Sequence, residues 1–282
     1  KGDEIIMKKI EGIIFDWAGT AVDFGCFAPV NVFIEIFKQA GIDVTMEEAR
    51  IPMGMLKRDH IKTMMEMNRI SDLWKEKYGR LHNEEDIDNL YAKFEPMLMK
   101  SLSNYTTPIE GVIETIENLR NKGLKIGSTT GYTDSMMDVV TKGAKEKGYA
   151  PDFYVTPDST NSNGRPYPYM IYRNMEALKL VDTSTVVKVG DTNSDIKEGL
   201  AAGVWSVGVI VGSSNMGLSE DEYNKLSQTE KDNLIEKTKT GFMEAGAHFT
   251  INTIKELPEL IEKINKIIKE GKRPYAINEK LA

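Results

Sequence analysis

Asp16 closes a short apolar run and opens "DWAGT", and a carboxylate in that position is a potential nucleophile. Three other apolar runs end in groups that would complement it. "GSTTGYT" offers Thr129 and Thr130, "TPDSTNSNGRPYP" offers Thr156, Asp158 and Arg165, and "GDTNSD" offers Asp191 and Asp195. A single Asp after a strand is ordinarily a turn former or a helix cap. Four such endings on one sheet edge, with Thr20 beside the first, supply a nucleophile, hydroxyl donors, a fixed cation and further carboxylates. That is the inventory of phosphoryl transfer through an aspartyl phosphate. Carboxylates gathered near an anionic phosphoryl group repel it, so a hard divalent cation held by oxygen ligands, Mg2+, is expected. Arg165 would neutralise a further charge on the transferring group; its alternative is a surface arginine in a loop.

Strands must carry these endings to one edge. The runs "IEGIIFD" (10–16), "LKIGSTT" (124–130), "DFYVTPD" (152–158), "TVVKVGD" (185–191) and "WSVGVIVG" (205–212) read as buried strands. Helical patterns lie between most of them, one ending at Gly123, one opened by Thr133 and one closed by Gly203. Strand alternating with helix predicts an α/β fold, a Rossmann-like, mostly parallel sheet covered on both faces, whose ligands sit beyond the carboxyl ends of the strands. The interval 25–103 breaks this rhythm with helical patterns alone and reads as an inserted α-helical domain, leaving 1–24 and 104–282 as the catalytic core. Within it Thr45 and Glu48 have capping-box spacing, Pro52 suits a helix first turn, and Ile87, Leu90, Phe94 and Met97 recur at helical intervals. Eight of the 15 methionines fall there, as core filling or as an adaptable surface for closure or subunit pairing. Residues 214–245 read as a polar, helix-prone excursion before a last short strand and an amphipathic helix.

Composition narrows the function classes. The 282 residues suit one large domain with a smaller one. A net charge of −7 argues against nucleic acid as a partner, and no apolar run approaches the length of a membrane span. The single cysteine, Cys26, has no partner for an internal disulfide, which points to a reducing, cytoplasmic setting. Met7 is a candidate start, and residues 1–6 carry no structural weight.

"DWAGT", "STTGYT", "GRPYP" and "GDTNSD", in this order, resemble the four motifs of the haloacid dehalogenase superfamily, across nearly the whole chain. The resemblance implies a Rossmann-like core with the helical insert as a mobile cap. It also implies Asp16 as nucleophile and metal ligand, Thr130 as phosphoryl hydrogen-bond donor, Arg165 as the cation of the third motif, Asp191 as a metal ligand and Asp195 as a supporting carboxylate. One position departs from the pattern. Phosphatases of this kind carry a second Asp two residues after the nucleophile, to protonate a departing alkoxide, where this chain has Ala18. A leaving group activated in another way needs another residue, and Lys57 in "RIPMGMLKRDH" is the candidate, expected near the start of a helix with Met53, Gly54 and His60 on its face. Apolar methionines and a positive helix end would favour its free amine, which attacks aldehydes; a solvated helix lysine is the bland alternative.

"DWAGT", "CFAP" and "PMGMLK" together look like the phosphonatase branch, in which the matching lysine forms a Schiff base. The resemblance then implies phosphonoacetaldehyde as the small-molecule substrate, cleaved at its carbon–phosphorus bond to acetaldehyde and orthophosphate. It also implies one Mg2+ per subunit, the backbone carbonyl of Ala18 among its ligands, and a homodimer. The departing group is a carbanion, which an imine absorbs as an enamine, so Ala18 needs no acid. His60 could shuttle protons, Tyr132 could contact substrate, and Cys26 and Met53 could line the pocket, each with simple packing as the alternative. The competing readings are a phosphate-ester hydrolase or phosphosugar mutase of the same fold, which Ala18 disfavours, and a non-catalytic binding protein, which the intact motif residues disfavour.

Overall fold

A computed structural model describes residues 8–274; the candidate start at Met7 lies outside them. Five of the apolar runs form strands β1 (Gly12–Phe15), β2 (Lys125–Thr129), β3 (Phe153–Val155), β4 (Val186–Gly190) and β5 (Trp205–Val209), and β6 (Phe249–Ile251) is the sixth. They make one sheet in the order β3-β2-β1-β4-β5-β6, every neighbouring pair parallel. Parallel strands buried on both faces need continuous apolar sequence, and every residue of β1, β4 and β5 is buried. On β1, Ile14 faces a cluster with Ile171, Met175 and Val186, while Ile13 and Phe15 join the larger cluster on the other face. The chain leaves β1 toward β2 and β3 and returns to β4 on the opposite side, so β1 and β4 flank the switch point where such sheets bind ligands.

Between β1 and β2 run α1 (Phe27–Gln39), α2 (Met46–Arg50), α3 (Lys57–Met65), α4 (Asn68–Tyr78), α5 (Glu84–Ser101) and α6 (Val112–Asn121). Thr45 and Asn83 each open a helix with a complete capping box, α2 and α5 respectively. Ile87, Leu90, Phe94 and Leu98 turn the apolar stripe of α5 inward, where Phe94 stacks on Phe33 of α1. Met64 and Met65 are buried as core filling. Pro52 differs from the expectation: α2 stops at Arg50, and Pro52 enters the turn that joins α2 to α3. That turn is tied to the sheet side, since Arg50 Nη1 donates to the Gly25 carbonyl at 2.6 Å and more weakly to Ser214.

After β2 come α7 (Asp134–Glu146), α8 (Tyr169–Leu178), α9 (Asn193–Ala202), α10 (Glu220–Lys225), α11 (Gln228–Glu244) and α12 (Leu257–Lys269). The last buries Leu257, Leu260, Ile261, Ile264 and Ile268 along one face. Among the described residues no helix is long and apolar enough to cross a membrane.

Candidate active site

Asp16 leaves the carboxyl end of β1, its backbone N–H bonded to the Val189 carbonyl of β4 at 2.9 Å. Asp191 leaves the end of β4, and Asp195 stands in the first turn of α9. One oxygen from each of these buried carboxylates falls in a group spanning no more than 4.8 Å. Asp191 is fixed by the Ser214 N–H at 2.7 Å and the Thr20 hydroxyl at 3.2 Å. Gly19 makes this approach possible: it sits at φ 87°, and a Cβ there would fall 2.1 Å from Asp191 Oδ2.

Burial, then the neighbouring charges of Asp16 and Asp195, push the Asp191 carboxyl well above the usual carboxylate range. Burial alone would also raise Asp195, but Arg165 and Lys188 hold it below that range. Crowded carboxylate oxygens of this kind fit a hard divalent cation, which would relieve their repulsion.

Arg165 comes from the loop before α8 and is buried against three acidic groups. Nη2 donates to Asp16 Oδ1 at 2.6 Å and to the Thr129 carbonyl at 3.0 Å, Nε donates to Glu198 at 2.9 Å, and Nη1 lies 3.1 Å from Asp195. A cavity of about 20 Å³ opens above this layer, lined by Asp16, Ala18, Lys57, Thr130, Tyr132 and Arg165 together with Cys26, Met53, Gly54, Gly131 and Thr192. Ala18 leaves the wall without a carboxylate where the phosphatase pattern has one. Thr130 directs its hydroxyl oxygen to the Tyr132 N–H at 3.0 Å.

Lys57 begins α3, only 3% exposed, with its ammonium 4.9 Å from the Tyr132 ring centre and 6.0 Å from that of Phe33. Burial lowers its pKa, and Arg165 acts in the same direction against the opposing pull of Asp16 and Asp191. Met53 and Gly54 reach this cavity from the turn before α3, where the expectation had them on the helix face. His60 is buried one turn along α3, outside the cavity lining. Its ring stacks on Phe33 at 3.7 Å, and Nε2 lies 2.9 Å from the Ala49 carbonyl. Burial, reinforced by Lys57, keeps its pKa well below the ordinary value. Burial also raises the Cys26 thiol, as befits a cavity wall and not a nucleophile.

Thr156 and Asp158 do not join this group. Thr156 donates to Asp134 Oδ1 at 2.5 Å and Asp158 accepts the Asp134 N–H at 2.7 Å, so both organise the start of α7. The end of β3 therefore contributes a helix terminus, and only Arg165, further along the same loop, enters the site. Sequence reasoning missed Lys188 and Glu198, both buried beneath the cavity. Lys188 had a signal: a charged residue in the middle of an apolar strand. Glu198 had one too, three residues after Asp195 on the same helix.

The chain matches the family described as haloacid dehalogenase-like hydrolase over residues 13–209. It is 62% identical to the phosphonoacetaldehyde hydrolase of Lysinibacillus sphaericus, over 92% of this chain and 96% of that protein. It is also 57% identical to the bifunctional phosphonoacetaldehyde hydrolase/aminoethylphosphonate transaminase of Clostridioides difficile, matching 94% of this chain and 42% of that longer one. Among solved structures, a phosphonoacetaldehyde hydrolase-like protein from Oleispira antarctica superposes with a TM-score of 0.91 at 37% identity, covering 97% of this chain and 99% of that one. A β-phosphoglucomutase from Clostridium difficile, at 16% identity and a TM-score of 0.64, shares the fold alone.

Proposed function

The chain belongs to the haloacid dehalogenase-like hydrolases and, within them, to the phosphonoacetaldehyde hydrolases, and we propose that it cleaves phosphonoacetaldehyde through an imine on Lys57 and a phosphorylated Asp16. The observation that carries this reading is a buried amine, Lys57, sharing one small cavity with a carboxylate, Asp16, where the acid required for an oxygen leaving group is replaced by Ala18.

The Lys57 amine adds to the aldehyde carbon and expels water, giving a protonated imine. Asp16 then attacks phosphorus. The carbon–phosphorus bond breaks, and its electron pair enters the imine to leave an enamine. Arg165, donating to Asp16 and facing the cavity, stabilises charge on the phosphoryl oxygens, and the Thr130 hydroxyl offers them a hydrogen bond. Protonation of the enamine carbon regenerates an imine, whose hydrolysis frees acetaldehyde and Lys57. Water releases orthophosphate from Asp16. Tyr132 covers Lys57, and Cys26 and Met53 complete an enclosure that limits water around the imine. His60 would influence proton movement through Lys57 and not by contact with substrate.

Asp16, Asp191 and the Ala18 carbonyl would hold Mg2+, with Asp195 in support, and the ion would offset carboxylate repulsion and polarise the phosphoryl group. The layer α1–α5, within 25–103, acts in this reading as a cap on the core of 1–24 and 104–282, and as the contact surface of a cytoplasmic homodimer.

The test is incubation with phosphonoacetaldehyde and Mg2+, following acetaldehyde by coupled reduction, with Lys57→Arg alongside. Arginine keeps the charge and forms no imine. Acetaldehyde from the parent and none from the variant is the expected result; a folded, Mg2+-loaded parent that yields none refutes the substrate.

A further inference from the structure

Beneath the cavity floor, two residues outside the lining complete a closed set of charges. Glu198 on α9 is fully buried, and its Oε2 accepts from Arg165 Nε at 2.9 Å and from the Thr129 hydroxyl at 2.9 Å. Lys188 on β4, also fully buried, places its ammonium 2.8 Å from Asp195 Oδ1 and 3.5 Å from Glu198 Oε2. These lysine contacts are ionic, without well-aligned hydrogen bonds. Each edge of the Arg165 fork thus has an acidic partner: Glu198 at Nε, Asp195 at Nη1 and Asp16 at Nη2.

We infer that Glu198 is a positioning residue for the phosphoryl-transfer half of the reaction. It acts by fixing the Arg165 guanidinium against Asp16, with Lys188 balancing its charge. A planar fork held at one nitrogen by a buried carboxylate cannot rotate without giving up that charge-assisted hydrogen bond, at a cost that the low-dielectric interior enlarges. Thr129 completes the clamp: its hydroxyl donates to Glu198 while its oxygen accepts from Arg165 Nη2 at 3.0 Å. Neither Glu198 nor Lys188 lines the cavity, so neither acts on substrate directly. The role concerns Asp16 and Arg165 and does not pass through the Lys57 amine, which divides the two halves of the chemistry experimentally. The inference rests on the proposed reaction.

The experiment compares the parent with Glu198→Ala and Glu198→Gln in the Mg2+-loaded protein, with two readouts. One is kcat and KM for phosphonoacetaldehyde. The other is reductive trapping of acetaldehyde on Lys57 with cyanoborohydride, read by mass spectrometry, which requires the amine and no phosphoryl transfer. Glu198→Ala is expected to lower kcat by about 10–100-fold, the range for residues that orient a reacting group. Glu198→Gln, which keeps an acceptor for Nε, falls between Ala and parent, and Lys57 in both variants is ethylated as in the parent. Parent-level kcat in Glu198→Ala overturns the inference. So does loss of ethylation together with turnover, which would mark general collapse of the site. If the alanine variant does not fold, the nearly isosteric glutamine variant decides: a reduced kcat with normal ethylation supports the role, and an unchanged kcat overturns it. A parent that neither turns over nor is ethylated refutes the proposed reaction itself, a result read before any variant.

Discussion

An amine enclosed by protein works against folding and in favour of chemistry, and Lys57 is that residue here. Its folded pKa lies below the unfolded value of a lysine, so between the two the unfolded chain binds more protons than the folded one. Lys57 therefore costs stability near neutral pH, and the cost vanishes as pH rises past the unfolded value. Lys57→Met should abolish acetaldehyde release while stabilising the fold by about 0.5–2 kcal/mol at pH 7, the range for relieving a functional residue. Thermal melts of parent and variant at pH 7 and above pH 10 check both sign and window, because the advantage of the variant should shrink at the higher pH. The candidacy of Lys57 comes from Ala18, where a missing acid asks for another way to activate the leaving group, together with the resemblance carried by "CFAP" and "PMGMLK"; its local sequence alone reads as a solvated helix lysine. The burial of Lys57 was not legible: what encloses it is Tyr132 and Phe33, distant in sequence. Lys188 escaped notice for the opposite reason, because a lysine inside "TVVKVGD" looks like an edge or a defect until Asp195 and Glu198 are seen beside it.

At the scale of elements, two short segments position the chemistry. Asp23 lies in the loop between β1 and α1 and accepts the N–H groups of Phe27 and Ala28 at the start of α1. Burial raises its carboxyl to about 6, against the lowering effect of those two N–H bonds and of Arg50. A group whose folded pKa exceeds its unfolded one contributes stability below the unfolded value and loses it as pH climbs through the folded value. Stability of the parent should thus fall by about 1–3 kcal/mol between pH 4 and 6.5 from this group, and Asp23→Asn should flatten that part of the profile in denaturant titrations.

The turn from α2 to α3 is the second segment. Gly54 sits there at φ 88°, where an added Cβ would meet Thr192 Oγ1 at 2.5 Å, and its carbonyl accepts from Arg165 Nη1 at 3.3 Å. Gly54→Ala strains the backbone and lifts the turn that delivers Lys57; kcat should drop on the order of 10²-fold, as expected for displacement by an ångström, with a loss of only about 1–2 kcal/mol in stability. Strand runs and capping boxes at Thr45 could be read from local sequence because the forces that set them are local. The turn at Pro52 could not: a proline fits a helix start and a helix exit equally well by φ alone, and here the end of α2 at Arg50 selected the exit.

For the whole molecule, the decisive quantity is buried charge. Asp16, Asp191, Asp195 and Glu198, when all are ionised as a bound cation would keep them, outnumber Arg165 and Lys188 by two negative charges in a buried layer where the sheet and α9 meet; without the cation, burial and that excess push the Asp191 carboxyl up. A net charge of −7 spread over 282 residues does nothing to relieve that layer, because solvent screens the surface and not the interior. A divalent cation at the Asp16, Asp191 and Asp195 oxygens brings the layer to neutrality, so its binding should be coupled to folding. Mg2+ at about 100 times its dissociation constant should stabilise the chain by about 2.7 kcal/mol through mass action. Asp191→Asn removes one of the carboxylate charges and leaves only a neutral amide oxygen as ligand. It should melt at a higher temperature than the parent in EDTA, where the parent must either bury the Asp191 charge or take up a proton to remove it, yet gain little from added Mg2+ where the parent gains much. Calorimetric melts of both proteins in EDTA and across a Mg2+ titration measure the two effects separately. A parent indifferent to Mg2+ would mean that Arg165, Lys188 and a proton on Asp191 suffice to balance the layer; a parent that Mg2+ stabilises, beside an Asp191→Asn that melts higher in EDTA and is indifferent to Mg2+, identifies the excess charge as the feature that couples cation binding to the stability of the entire fold.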